Sequence, residues 1–344
     1  MPEAKSPFRP PRRRSPLALL VFPVLAALAL ATPPPAAART ECVWTGVQRI
    51  VAIGDLHGDY DHFVRLLRGS DLVDGDDHWI GGKSHLVQMG DVMDRGDEAR
   101  KILDLIRALE KEAAAAGGMV HFILGNHEEM NLMNRSTQYP GYVTAAQFKS
   151  FLSKEIIAAE EKRAKGRVSD SRWEELMADP DTDASKDYFR NFVELYGHWL
   201  AEHNVVIKIN DTVFVHGGLT ESFAGMGLEA INNLYRSEVQ RLLRGEEFRP
   251  RILFVPAGPL WNRDMASTAE NREYKAHVAR ILELVGAKRV VVAHTPTAFQ
   301  GRDKDLVRYD GKVWVIDTGI SSVFHGRVWA ILIENGEVSI IRRD

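Results

Sequence analysis

The chain has 344 residues, 45% of them hydrophobic and 26% charged, with a formal net charge of -3. The apolar fraction excludes wholesale disorder and collagen-like structure, and the charge leaves no basic footprint for nucleic acid. One cysteine, Cys42, excludes an intramolecular disulfide and a cysteine-ligated metal site, so the twelve histidines are the available nitrogen ligands.

In chain order, residues 1–38 come first and differ from the rest. Lys5, Arg9, Arg12, Arg13 and Arg14 are set against one acid, Glu3. Leu17–Ala31 is then uncharged, and Ala36-Ala37-Ala38 follows a proline cluster. A basic start, an apolar middle and an A-x-A end predict a secretory signal peptide, and so an exported protein, periplasmic or secreted. The alternative is an uncleaved membrane anchor at residues 17–31, although that run is shorter than the roughly 20 residues that span a bilayer. Arg13-Arg14 fits a twin-arginine leader in part, with Pro16 where Phe is usual.

Residues 39–344 read as one domain. Short Val- and Ile-rich runs predict buried strands at Arg49–Ile53, Leu86–Met89, Met119–Leu124, Thr212–Val215, Arg289–Ala293 and Val313–Ile316. A helix is predicted over Asp97–Ala116, with Ile102, Leu105, Ile106 and Leu109 on one face and Gly117-Gly118 as its stop. Residues 131–210 change character. Amphipathic helices are expected at Gln147–Lys165 and Ser185–His203, around an acidic loop with Asp179, Asp181 and Asp183. This segment reads as a helical insertion over the active-site face, with Trp173 and Trp199 in its core. The chain ends in a predicted hairpin, Arg327–Ile333 and Glu337–Arg342, turning at Asn335-Gly336.

Five short segments carry the chemistry: Gly54-Asp55-Leu56-His57-Gly58, Gly90-Asp91-Val92-Met93-Asp94-Arg95-Gly96, Gly125-Asn126-His127-Glu128, His216-Gly217-Gly218 and Ala293-His294-Thr295. Asp55, Asp91 and Asn126 are spaced at the interval of strand–helix–strand units, each just past a strand, where open α/β sheets bind ligands. Carboxylate, amide oxygen and imidazole suit Mn, Fe or Zn. A two-metal site needs a bridging carboxylate and a few ligands for each ion. Asp91, in the middle segment, is the expected bridge. Asp55 and His57 suit one ion, and Asn126, His216 and His294 the other. His127 is the candidate general acid, Asp94 its orienter, and Arg95 a bidentate grip on phosphate. His85, His121 and His203 read as core residues.

Three other patterns fail. Gly82-Lys83-Ser84 lacks the earlier glycine of a P-loop, since Asp77 stands there. Asp317-Thr318-Gly319 has no second triplet to make an aspartic-protease pair and reads as a turn beside the metal site. Asp71–Asp77 lacks the ordered spacing of a calcium loop.

The five segments resemble the metallophosphoesterase superfamily and, within it, the phosphoprotein phosphatase family (GDxHG, GDxxDRG, GNHE, HGG and a late His). The chain is more closely similar to the bacterial Shewanella-like branch through Gly125–Leu132, Gly258-Pro259-Leu260-Trp261-Asn262-Arg263 and Ile316-Asp317-Thr318-Gly319-Ile320-Ser321. The resemblance implies an α/β (α+β) fold, a calcineurin-like β-sandwich flanked by helices with a helical cap. It implies two metal ions: Asp55, His57 and Asp91 on the first, and Asp91, Asn126, His216 and His294 on the second. It further implies the His127–Asp94 acid pair, with Arg95, Arg263 and Asn126 on the substrate; the Arg263 role rests mainly on the resemblance. The implied reaction is in-line hydrolysis of a phosphomonoester by hydroxide held between the ions, without a covalent phosphoenzyme. The expected partner is a phosphorylated protein or peptide, or a small phosphomonoester. Glu129-Met130 replaces the Ser-Arg that follows GNHE in eukaryotic serine/threonine enzymes, so the expectation leans to phosphotyrosine. Serine/threonine or broad specificity, and nucleotide or dinucleoside polyphosphate hydrolysis, are the alternatives; a binding module without turnover is the rival of another class.

Overall fold

The computed structural model describes residues 41–297 and 305–344; the expected leader and the alternative anchor lie outside them. Among the described residues no helix is long and apolar enough to cross a membrane. In chain order the strands are β1 (Val43–Trp44), β2 (Arg49–Ile53), β3 (His85–Gln88), β4 (Met119–Phe122), β5 (Val206–Ile209), β6 (Thr212–Val215), β7 (Arg289–Val292), β8 (Val307–Arg308), β9 (Val313–Val315), β10 (Trp329–Glu334) and β11 (Glu337–Arg342). They make two sheets, β1-β5-β6-β7-β9-β8 and β11-β10-β2-β3-β4. The centre of each is parallel: β2, β3 and β4 in one, and β6, β7 and β9 in the other.

The two-residue period of a strand divides these side chains between two cores. Ile50 and Ala52 of β2, Ile207 and Ile209 of β5, and Val291 of β7 join one cluster drawn from both sheets. Val51, Ile53, Val206, Val290 and Val292 point the other way and pack in a second, larger cluster with helical residues such as Phe63, Ile102 and Ile106. Both faces of the central strands are therefore buried, which explains their unbroken apolar runs. The α/β sandwich expected from the sequence is the observed architecture.

Parallel neighbours need crossovers, here the helices Tyr60–Gly69 and Ala99–Ala115. The strand–helix–strand spacing of Asp55 and Asp91 anticipates the first without giving its bounds; Asp59 caps it by accepting from His62 N at 3.0 Å. The second starts two residues later than predicted.

The insertion differs in detail from its expectation. The predicted helix over 147–165 is two helices, Ala145–Phe151 and Lys154–Ala164. Leu152 between them is extended, and the Ser153 hydroxyl accepts from Ile156 N to cap the second. The helix predicted from Ser185 begins at Asp183, because Thr182 Oγ1 accepts from Ser185 N at 3.1 Å. It passes through a π-helical turn at Val193–Gly197 and ends at Glu202. A further helix, Asp170–Ala178, lies between them and buries Trp173. The last residues of the 131–210 segment belong to the sheet, since β5 pairs antiparallel with β6.

Candidate metal centre

The motif residues follow the C-terminal ends of six strands. Asp55 follows β2, Asp91 follows β3, Asn126 follows β4, His216 follows β6, His294 follows β7, and Asp317 follows β9. Backbone bonds stitch the first two loops together: Leu56 N and His57 N donate to Asp91 O at 3.0 and 2.9 Å, and Gly58 N to Val92 O at 2.8 Å. His57, Asp91, Asp94, Arg95 and His294 all hold left-handed backbone, with φ between 43° and 70°. Non-glycine residues rarely adopt it, and such strain gathers at functional sites. At Gly125 a Cβ would lie 2.2 Å from Asp91 Oδ1, so only glycine lets the two loops meet.

Asp91 sits at the centre. Its Oδ1 lies 3.4 Å from His216 Nε2, and its Oδ2 lies 3.8 Å from His57 Nε2 and 3.9 Å from His127 Nε2. Two clusters able to hold a cation share it: His57, Asp91 and His127, and Asp91, His216 and His294. The first cluster has His127 where the sequence suggested Asp55. Asp55 stays adjacent, its Oδ2 4.0 Å from His57 Nε2 and its Oδ1 accepting from His294 N at 3.2 Å. Asn126 Oδ1 lies 3.1 Å from His216 Nε2.

The imidazoles are aimed by their far nitrogens, a common arrangement for metal-ligating histidine. His57 Nδ1 is 3.0 Å from Met93 O, and His216 Nδ1 is 2.7 Å from Met89 O. Each leaves Nε2 directed at Asp91. His294 Nε2 is buried without a hydrogen-bond partner. An orphaned buried nitrogen is costly, and a cation beside it would satisfy it. Burial, helped by the neighbouring His127, pushes His57 down to about 3; burial and His216 push His294 down to about 2. Both rings are thus neutral, the form that binds metal. Burial alone would raise Asp91, but the His216, His127 and His57 rings hold it well below its ordinary value. Oxygen and nitrogen donors without sulfur, an orphaned nitrogen and a shared carboxylate together fit a pair of divalent metal ions.

The His127–Asp94 pair expected from the sequence is also assembled. His127 Nδ1 is 2.7 Å from Asp94 Oδ2. Burial would lower His127, but Asp91 and Asp94 outweigh it and raise it. Arg95 lies beside them, its guanidinium 4.5 Å from the Tyr142 ring centre. Arg263 is exposed at the edge; its guanidinium donates to His294 O and, at 3.3 Å, to Thr295 Oγ1. His85, His121 and His203 are outside this cluster: His121 pairs with His85 at 2.9 Å, and His203 with Glu110 at 2.8 Å.

Several contributors escaped sequence reasoning. Glu128 accepts from the backbone N–H groups of Asp91, Val92, Met93 and Gly125, at 2.8 to 3.1 Å, and so holds the bridging loop. Its place in the GNHE motif was the available signal. Asp317 lies beside Asp55, in the turn next to the metal site that the sequence predicts, although no part was assigned to its carboxyl. Burial, then the Asp317 carboxyl, raises Asp55 well above its ordinary value, and burial lifts Asp317 to about 6. The insertion supplies the rest. Asn131 Nδ2 and Gln147 Nε2 each donate to Asp94 Oδ1 at 3.0 Å, and Ser136 Oγ donates to Oδ2 at 2.8 Å. Tyr188 donates to Asn131 Oδ1 at 2.8 Å. Nothing in the local sequence marks Ser136, Gln147 or Tyr188, and Asn131 lies in the Gly125–Leu132 segment without an assigned part.

Residues 48–298 match the calcineurin-like phosphoesterase family. The chain is similar to Shewanella-like protein phosphatase 1 of Plasmodium berghei, 28% identical over 81% of this chain and 68% of the relative. It is likewise similar to Shewanella-like protein phosphatase 2 of Arabidopsis thaliana, 28% identical over 72% of this chain and 66% of the relative. Among solved structures it resembles the cold-active protein-tyrosine phosphatase of a psychrophilic Shewanella species, with a TM-score of 0.60 and 25% identity over 90% of this chain and 86% of that one.

Proposed function

The chain belongs to the calcineurin-like phosphoesterase family and is a metal-dependent phosphatase; we propose that its substrates are phosphorylated proteins and that it prefers phosphotyrosine. The observation that carries this reading is the sharing of Asp91 between two cation-holding clusters beside a hydrogen-bonded His127–Asp94 pair. The preference draws support from the solved tyrosine phosphatase that the chain resembles over most of its length, and from Glu129-Met130 after the GNHE motif.

Asp55, His57, Asp91, Asn126, His216 and His294 are the proposed ligands of two ions, of Mn, Fe or Zn. Bound there, such ions activate water and neutralise phosphate charge. The chain's own groups do the rest. Asp91 keeps its carboxylate ionised and presents one oxygen to each cluster. Arg95 and Arg263 grip the phosphate oxygens, with Asn126 beside them, and stabilise the charge that develops there. His127 gives the proton on Nε2 to the departing oxygen, and Asp94 keeps that ring oriented and charged. The proposed sequence is a single in-line displacement, with no phosphorylated side chain.

The test is a comparison of two peptides identical except for phosphotyrosine or phosphoserine, with metal analysis of the same sample. We expect two ions per chain and a higher kcat/KM for phosphotyrosine. Equal values would overturn the preference, and intact peptides with metal bound would overturn the protein-phosphatase reading. We also propose export, on the strength of the basic and apolar run before residue 38. A mature N-terminus close to Ala38 on the exported protein supports this, and a full-length cytoplasmic chain refutes it.

A further inference from the structure

Three aromatic rings gather beside His57, Arg95 and His127. Tyr142 faces His127 with ring centres 4.9 Å apart, and Phe324 faces His57 at 5.3 Å. The Arg95 guanidinium lies between these two rings, 4.5 Å from Tyr142 and 5.3 Å from Phe324. Tyr139 stacks on the outer side of Tyr142, with centres 5.1 Å apart and planes 22° apart, and it is 43% exposed. Phe324 is half-buried, and its short helix buries none of its residues.

This placement is unlike that of the other aromatics. Trp173, Tyr188 and Phe148 are buried in the insertion, where they fill volume. Phe324 instead keeps open surface next to the Arg95 guanidinium, and Tyr139 keeps it on a ring stacked against Tyr142. Open aromatic surface beside a proton donor is apolar where a phosphate site needs charge, so the phosphate gains nothing from it. A ring attached to that phosphate does.

We propose that Tyr139, Tyr142 and Phe324 form an aromatic collar that selects aryl over alkyl phosphates by stacking on the leaving phenol. The inference rests on the phosphotyrosine reading and names the groups that would carry it. In the reaction water adds its oxygen to phosphorus and releases one proton to solvent, from which His127 is later recharged, and the bond from phosphorus to the phenolic oxygen breaks. That oxygen takes the proton from His127 Nε2, and inorganic phosphate and a neutral phenol are released. Since His127 lies against Tyr142, the departing oxygen carries its ring to the collar. A serine leaving group has no ring to place there. Aromatic pairs of this kind are worth about 2- to 12-fold each in binding.

A structural alternative exists: the two rings could serve only to hold the Arg95 guanidinium by cation–π contact. The two accounts differ in which substrates suffer. The experiment uses the metal-loaded full chain, its Tyr139→Ala and Phe324→Leu variants, and the double variant. Phenyl phosphate and glycerol 2-phosphate are compared, together with the matched phosphotyrosine and phosphoserine peptides. We expect the aryl-to-alkyl ratio of kcat/KM to fall about 2- to 12-fold in each single variant and further in the double one. The loss falls on phenyl phosphate, while glycerol 2-phosphate turnover stays within about twofold, which also shows that the variants fold. A parallel loss on both substrates, or an unchanged ratio, overturns the collar. If phenyl phosphate shows the expected loss but neither peptide is cleaved, the protein-substrate reading fails and the collar stands. If phosphotyrosine peptide is preferred and the variants leave every ratio unchanged, the collar fails and the reading stands.

Discussion

The strand ends and the helical insertion contribute to the same site in opposite ways. The strand ends supply groups that point inward from fixed backbone: Asp55, Asp91, His216 and His294 each sit within three residues of a strand. The insertion supplies no member of either cation-holding cluster, yet Asn131, Ser136 and Gln147 hold Asp94, Tyr188 holds Asn131 and Gln147, and Asp94 holds His127. One region places the carboxylates and imidazoles of the cation-holding clusters, and the other steadies the His127–Asp94 pair. The two should therefore fail differently when altered.

The largest effect is expected from the strand ends. Asp91→Asn removes the carboxylate shared by both clusters, and should abolish turnover and metal binding together; two ions per chain in elemental analysis would refute the shared role. His127→Asn should lower kcat by roughly 100- to 10,000-fold, the usual worth of general acid catalysis, with metal content near normal. Metal loss of equal size would place His127 among the ligands, as its nearness to His57 and Asp91 allows.

The insertion should yield effects on stability and positioning. Trp173→Ala empties a buried site in its core and should cost about 3–5 kcal/mol of unfolding free energy, measured by urea denaturation. Metal content should be unchanged; its loss would show that the two regions are not separable. Glu129 links the motif helix to the 254–261 loop by accepting from Phe254 N and Trp261 Nε1, and burial pushes it up to about 8 from an ordinary value of 4.5. The folded state then holds a proton that the unfolded chain has released. The associated stability is full below about pH 4.5 and is lost as pH rises toward 8, at about 1.4 kcal/mol per pH unit. Glu129→Gln should flatten that slope, so wild type and variant should diverge between pH 5 and 7.5 in denaturation curves; parallel curves would mean that Glu129 is ionised in the fold. The smallest effect is expected from Tyr188→Phe. It removes the donor to Asn131 and the acceptor of Gln147, two buried groups worth about 1–3 kcal/mol. We expect kcat to fall about tenfold with KM unchanged, and an unaltered kcat would show that Asp94 is held without the insertion's outer layer.

The same division explains what could be read from the chain. A polar side chain beside glycine at the end of a strand is a local pattern, and Asp55, Asp91, Asn126 and His216 each carried it; His294, between Ala293 and Thr295, carried only its place at a strand end. Glu128 lay inside a recognised motif, but its four backbone partners depend on the loop conformation at Asp91, which spacing does not encode. Gln147 and Tyr188 were illegible for a different reason. Gln147 meets Asp94 across 53 residues and Tyr188 meets Asn131 across 57, and neither stands in a local pattern of its own. β1 and β8 have two residues each, too few to show a period. The break at Leu152 had a legible cue in Ser153, an N-cap residue three positions before an apolar side chain, which the longer amphipathic pattern obscured.

The sharing of the centre between both sheets has a consequence for how the chain matures. His294 N bonds Asp55 Oδ1 across 239 residues, and Asp91 of one sheet needs His216 of the other. Contacts of such long range form late, because loop closure must come first. The cluster of His57, Asp91 and His127 is complete within one sheet, but that of Asp91, His216 and His294 is a fragment until the second sheet has formed and docked. At that second cluster metal acts as a lock, not a template. Its availability should raise the thermal midpoint by mass action.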